Sequence, residues 1–238
     1  TDIVHVAAHQ RRLFFVFNDS LTFGYLPIVS VAGTVATFDI GGLCSKGGYI
    51  QAIGSWTRDG GAGPEDLFVA ITSEGECVIY AGNDPSSATA WSLVGVFNIG
   101  NPIGRRCVEK VGSDLTVLTQ DGAISLSIFL PIDQVAGSSR AMSNNIQNQF
   151  LDSTRSYSNI FGWQSLHYPQ GSYSLFNIPL STTVSEQYVI NSQTGAWCKF
   201  TGQNAACWAL FGSDLYFGAT DGGVIYKADT GTSDNNAD

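Results

Sequence analysis

A short apolar run, a tight polar turn and a second apolar run recur along this chain, and that repeat limits the fold more than any other feature. Residues 66–79 show it best. Asp66-Leu67-Phe68-Val69-Ala70-Ile71 leads into Thr72-Ser73-Glu74-Gly75, and Glu76-Cys77-Val78-Ile79 returns. Residues 114–126 and 214–226 have the same shape, with Asp121-Gly122 and Asp221-Gly222 at their turns. Residues 12–23 form a looser copy, and Ser174-Leu175-Phe176-Asn177 opens another whose return strand, Glu186 to Ile190, follows a longer loop. The leucines at 13, 67, 115, 175 and 215 are spaced by 54, 48, 60 and 40 residues. Glycine or Asn at such turns takes the positive φ that a two-residue hairpin needs. A lone hairpin cannot bury its own face, so the copies must pack on one another. A unit of roughly 40–50 residues suits one four-stranded propeller blade.

Helical periodicity is almost absent. Met142, Ile146 and Phe150 share one face of a helix expected near 140–155, with Ser143 or Asn144 as its cap. The expected fold is therefore all-β: a β-propeller-like repeat of four-stranded blades (about five), with that helix inserted between the third and fourth units. A β-sandwich with irregular strands is the competing architecture, since its turns also recur at short intervals. The expected organisation is one domain over 1–229 followed by a polar, acidic tail at 230–238. The chain opens on Thr1 in strand-like sequence, the pattern expected of a piece of a longer protein.

Composition narrows the setting. Of 238 residues, 44% are hydrophobic, enough for a core and too many for a disordered chain. Charged residues are 13%, about half the usual share, so Ser, Thr, Asn, Gln and Gly must cover the surface. No apolar run approaches the ~18 residues of a spanning helix, and no membrane insertion by this chain is expected. The net charge of −9 opposes tight binding to phosphates. Five cysteines, at 44, 77, 107, 198 and 207, form no CxxC pair, and several lie in apolar runs. They read as small buried thiols in a reducing compartment.

The motifs that carry chemistry are missing or incomplete. No serine stands in Gly-x-Ser-x-Gly, no Ser-x-x-Lys occurs, and residues 41–46 put the glycines and lysine of a phosphate loop in the wrong order. His5 and His9 are four apart, which on a strand separates them by about 13 Å. They read as solvated terminal histidines, and His167 as a half-buried structural one. Asp59 to Asp66 is a Gly-rich loop with three carboxylates but without calcium-loop spacing, so a plain hairpin loop is expected. Residues 83–91 bear a faint likeness to a sialidase turn but lack its Gly. Arg11-Arg12 and Arg105-Arg106 are the compact basic pairs, and strand neighbours point to opposite faces. Trp56, Trp91, Trp163, Trp197 and Trp208 read as blade anchors rather than sugar platforms. The sequence thus assigns no catalytic, cofactor-binding or metal-ligating residue, and it is expected not to be an enzyme.

Several segments carry a family resemblance. Arg12-Leu13-Phe14-Phe15-Val16 leading to Tyr25-Leu26-Pro27 looks like an opening blade. Gly47-Gly48-Tyr49-Ile50, Trp56-Thr57-Arg58-Asp59-Gly60-Gly61 and residues 66–75 look like the next. Residues 98–106 and Gly195-Ala196-Trp197-Cys198-Lys199-Phe200 follow in the same order. Together they resemble the packaged-DNA stabilisation or tail-hub (nozzle) proteins of short-tailed bacteriophages. That resemblance implies a structural component of the virion tail, made in the host cytoplasm. It implies a homo-oligomeric ring, with six copies as the expected number, that contacts portal or adaptor proteins and other tail components. Packaged DNA would pass through such a ring without specific binding. An acidic, weakly charged wall fits that role, because a basic one would grip the duplex. The alternatives are a carbohydrate-binding or glycan-cleaving propeller and a protein-interaction propeller of another system.

Overall fold

The computed structural model describes residues 2–59, 64–129 and 142–230. Its strands gather into antiparallel sheets in chain order. The first sheet holds β1 (Ile3–His9), β2 (Arg12–Phe17), β3 (Thr22–Tyr25) and β4 (Ala36–Asp39). The second holds β5 (Ile50–Asp59), β6 (Pro64–Thr72), β7 (Glu76–Gly82) and β8 (Trp91–Asn98). The third has β9 (Val108–Val111), β10 (Asp114–Thr119) and β11 (Gly122–Ser125). The fourth has β12 (Gln164–Tyr168), β13 (Tyr173–Pro179), β14 (Ser185–Asn191) and β15 (Trp197–Phe200). The fifth has β16 (Ala205–Phe211), β17 (Asp214–Ala219) and β18 (Ile225–Lys227). Each repeat of the sequence is one hairpin of a sheet: the middle hairpin in the four-stranded sheets (β2–β3, β6–β7 and β13–β14), and a hairpin that ends on an edge strand in the three-stranded ones (β10–β11 and β17–β18). The expected tail at 230–238 lies outside the described residues beyond Thr230.

The chain divides into two compact units, Thr1–Ser158 and Asn159–Asp238. In the first unit, the apolar run of β6 is continuous because both of its faces are buried. Alternate side chains of a strand point to opposite faces. Phe68 and Ala70 join Phe14, Phe23, Tyr25, Ile53 and Trp91 in the core between the first two sheets. Leu67, Val69 and Ile71 join Ile79, Leu115, Val117 and Ile124 in the core between the second and third. Gly54 lets the third sheet approach, since a Cβ there would stand 3.0 Å from Leu115 Cδ2. In the second unit, Leu166, Leu175 and Val189 pack on Trp208 and Leu215 between the fourth and fifth sheets.

The inserted helix is later than its expected 140–155. A 3-10 turn at Asn144–Ile146 precedes α2 (Gln147–Tyr157), and a single turn, α1 (Leu126–Phe129), leaves the third sheet. Ser143 does not cap the helix. Its hydroxyl accepts the Ala123 N–H at 3.1 Å, and the Met142 N–H donates to the Ala123 carbonyl at 2.8 Å. Residues 142–143 are thus tied to β11, and only Phe150 of the expected apolar stripe is buried within the helix. Thr154 Oγ1 donates to the Gln120 carbonyl at 3.0 Å, docking α2 on the β10–β11 turn.

Candidate functional site

Two surfaces of the first unit leave apolar side chains in water. β8 pairs only with β7 among the described residues, so its outer edge is open. Its sequence, Trp91-Ser92-Leu93-Val94-Gly95-Val96-Phe97-Asn98, holds no charged residue and no proline. Natural edge strands are usually guarded by such residues. Trp91 turns inward at 6% exposure, whereas Leu93, Val94 and Val96 are exposed by 43%, 45% and 37%. The register passes from Ile79↔Gly95 to Tyr80↔Leu93, which leaves Val94 as the extra residue of a bulge. The bulge interrupts strand addition at that point.

The second surface is the loop between β3 and β4. Val29 and Val31 are exposed by 73% and 86%. Val29 has φ 59°, a left-handed conformation that strains a β-branched residue. Its N–H donates to the Arg11 carbonyl at 2.8 Å, which holds the loop against the β1–β2 turn.

The titratable groups weighed in the sequence serve packing. His5 and His9 are not free solvated side chains: His5 is half-buried and His9 is buried. His5 Nε2 lies 3.0 Å from the Ile53 carbonyl. His9 is buried, with Nδ1 2.9 Å from Ser55 Oγ and Nε2 3.2 Å from the Gly82 carbonyl. Phe14, Phe68 and Trp91 meet the His9 ring edge-on. The strand that carries them packs on β5, which buries His9 and partly buries His5. Burial lowers both pKa values, against the carbonyl hydrogen bonds that raise them. His167 is half-buried and meets Ser174 Oγ at 2.9 Å, the structural role expected.

The arginines do not converge. Arg12 donates to the Leu26 carbonyl and pairs with Asp84 at 3.1 Å. Arg105 donates to the Ile50 carbonyl and Asn18 Oδ1 and lies 4.8 Å over the Tyr49 ring. The acidic loop of residues 59–66 lies partly outside the described residues, and Asp66 accepts a hydrogen bond from Thr57. Among the described residues no three His, Cys, Asp or Glu side chains gather as metal ligands.

Four tryptophans are buried anchors: Trp56, Trp91, Trp163 and Trp208. Trp197 is half-buried and stacks on Phe176 at 5.6 Å. The thiols are free; Cys77 and Cys107 are buried, but Cys198 is exposed because it sits on the outer strand β15. Two buried polar groups escaped the sequence reading. Glu76 accepts from the Ser45 N–H and hydroxyl and from the Lys46 N–H. Asn177 donates to the Gly162 and Ala205 carbonyls and accepts from Gln187 and from Trp208 Nε1. A Glu and an Asn inside otherwise apolar strands were the available signals.

No protein-family model matches the chain, and no curated protein matches its sequence. Solved structures do. A putative 6-phosphogluconolactonase of Bacteroides uniformis is similar at TM-score 0.55 and 14% identity, over 96% of this chain and 70% of that one. The Cps50 (Swd1) β-propeller domain of Myceliophteria thermophila is similar at TM-score 0.51 and 14% identity, over 92% of this chain and 63% of that one. The chain has a β-propeller-like fold. This favours the blades over the sandwich. It also corrects the expectation that the chain is not an enzyme, because a neighbour named as a lactonase is built on the same fold. A missing sequence motif does not exclude catalysis on blades, where site residues come from separate strands and loops.

Proposed function

We propose that the chain is a structural subunit of a bacteriophage tail hub, assembled with copies of itself. The observation that supports it most is β8: an open, uncharged edge strand with three exposed aliphatic side chains. An edge of this kind is an aggregation hazard in an isolated chain and a contact surface in an assembly. The exposed, strained Val29 loop is a second such surface. Two different patches meeting head to tail generate a ring when the rotation closes. The net charge of −9 suits a wall that lets a duplex slide past. In this reading the ring lies beneath the portal, contacts portal or adaptor proteins, retains packaged DNA and lines part of the ejection path.

The test uses virions purified by density gradient from cells producing the phage that encodes the chain, and an antibody raised against the chain. Label at the tail vertex is the expected result. Absence of the chain from purified virions overturns the assignment.

A further inference from the structure

The second unit holds an open surface groove of about 560 Å³. It is lined by Thr183, Asn204, Phe217, Thr220, Asp221 and Tyr226, with Gly202 and Gly222 among its walls. The volume falls in the usual range for small-molecule sites. Its polar groups are fixed from behind. Thr220 donates its N–H to the Asn204 carbonyl at 2.9 Å and its hydroxyl to the Thr183 carbonyl at 2.8 Å. Asn204 Oδ1 accepts the Ser185 N–H at 3.2 Å. That leaves Asn204 Nδ2 without a hydrogen-bond acceptor among the described residues, and the Asp221 carboxylate without a hydrogen-bond or ion-pair partner among them. Beside them Phe217 and Tyr226 stack at 5.3 Å and 29°, and Tyr226 is half exposed.

We infer that this groove binds a neutral, non-phosphorylated pyranose sugar. A carboxylate accepts from two vicinal hydroxyls, and an amide NH₂ donates to a third oxygen. An exposed aromatic face covers the apolar C–H face of the ring. No Lys or Arg lines the groove. An unbalanced Asp221 repels phosphate and carboxylate groups, so the phosphosugar chemistry in the neighbour's name does not fit here. The inference stands apart from the tail assignment, because it concerns a pocket within one copy of the chain.

The experiment is saturation-transfer NMR on the full chain with methyl glucopyranoside, methyl galactopyranoside, methyl mannopyranoside and glucose 6-phosphate. Transfer to the C–H protons of at least one neutral glycoside, and none to glucose 6-phosphate, is expected. Asp221→Ala should raise its Kd at least tenfold, and Tyr226→Ala should abolish transfer. Asp221→Asn, isosteric on an exposed turn, keeps the test valid where Asp221→Ala does not fold. No transfer to any neutral glycoside, transfer that survives both substitutions, or a preference for glucose 6-phosphate would each overturn the assignment.

Discussion

His9 shows how much a single side chain depends on its sheet. Its ring bridges Ser55 and Gly82 inside an aromatic cage, and burial holds it neutral below the ordinary histidine pKa. The unfolded chain therefore takes up protons first as pH falls below about 6.5. This contribution to stability is complete above that pH and declines beneath it. The melting temperature should fall between pH 7.5 and 5.5, and His9→Gln should flatten the fall while lowering the pH 7.5 value. An unchanged slope in the variant would contradict this account of the ring. The thiols give a second test. Burial pushes Cys77 and Cys107 up to about 12. Cys198 is exposed, so it should react first with Ellman's reagent in the native protein, and Cys77 and Cys107 only after urea. Rapid native labelling of Cys107 would contradict the third sheet's packing.

Elements explain what the sequence revealed and what it hid. The hairpins were legible because a turn glycine and alternating apolar residues are local signals. Gly75, at φ 76°, lies where a Cβ would meet the Gly100 backbone at 2.6 Å. Gly75→Ala should therefore destabilise by more than the ~1 kcal/mol of an ordinary glycine position. The helix start was misread because Ser143 bonds to Ala123, a partner 20 residues away in sequence. His9 and Glu76 were hidden for the same reason: their partners lie on neighbouring sheets or distant loops. Burial pushes the Glu76 carboxyl up, but the hydrogen bonds from Ser45 and Lys46 outweigh it and hold the group below its ordinary value. Glu76→Gln turns an acceptor into a donor facing N–H groups and should cost about 1–3 kcal/mol by urea denaturation. The tryptophans separate in the same way. Trp208→Ala removes a buried ring and the donor to Asn177, with an expected cost of about 3–5 kcal/mol. Trp197→Ala, at a half-buried site, should cost clearly less. Equal losses would contradict the burial difference.

At the scale of the whole molecule, sheets repeat along the chain and share cores with their neighbours in each unit. Such repeats were visible in the sequence, whereas the exposed apolar edge was not. Leu93, Val94 and Val96 read like any strand until the pairing shows that nothing described covers them. In the proposed assembly this edge joins copies of the chain. The most direct measurement is light scattering coupled to size exclusion over a range of concentrations, for the wild type and for Leu93→Glu with Val96→Glu. The wild type should show a closed multiple of 25.4 kDa, near 150 kDa for six copies, and the variant a folded monomer. A wild-type chain that stays near 25 kDa at every concentration, or a variant that assembles as the wild type does, would contradict the claim.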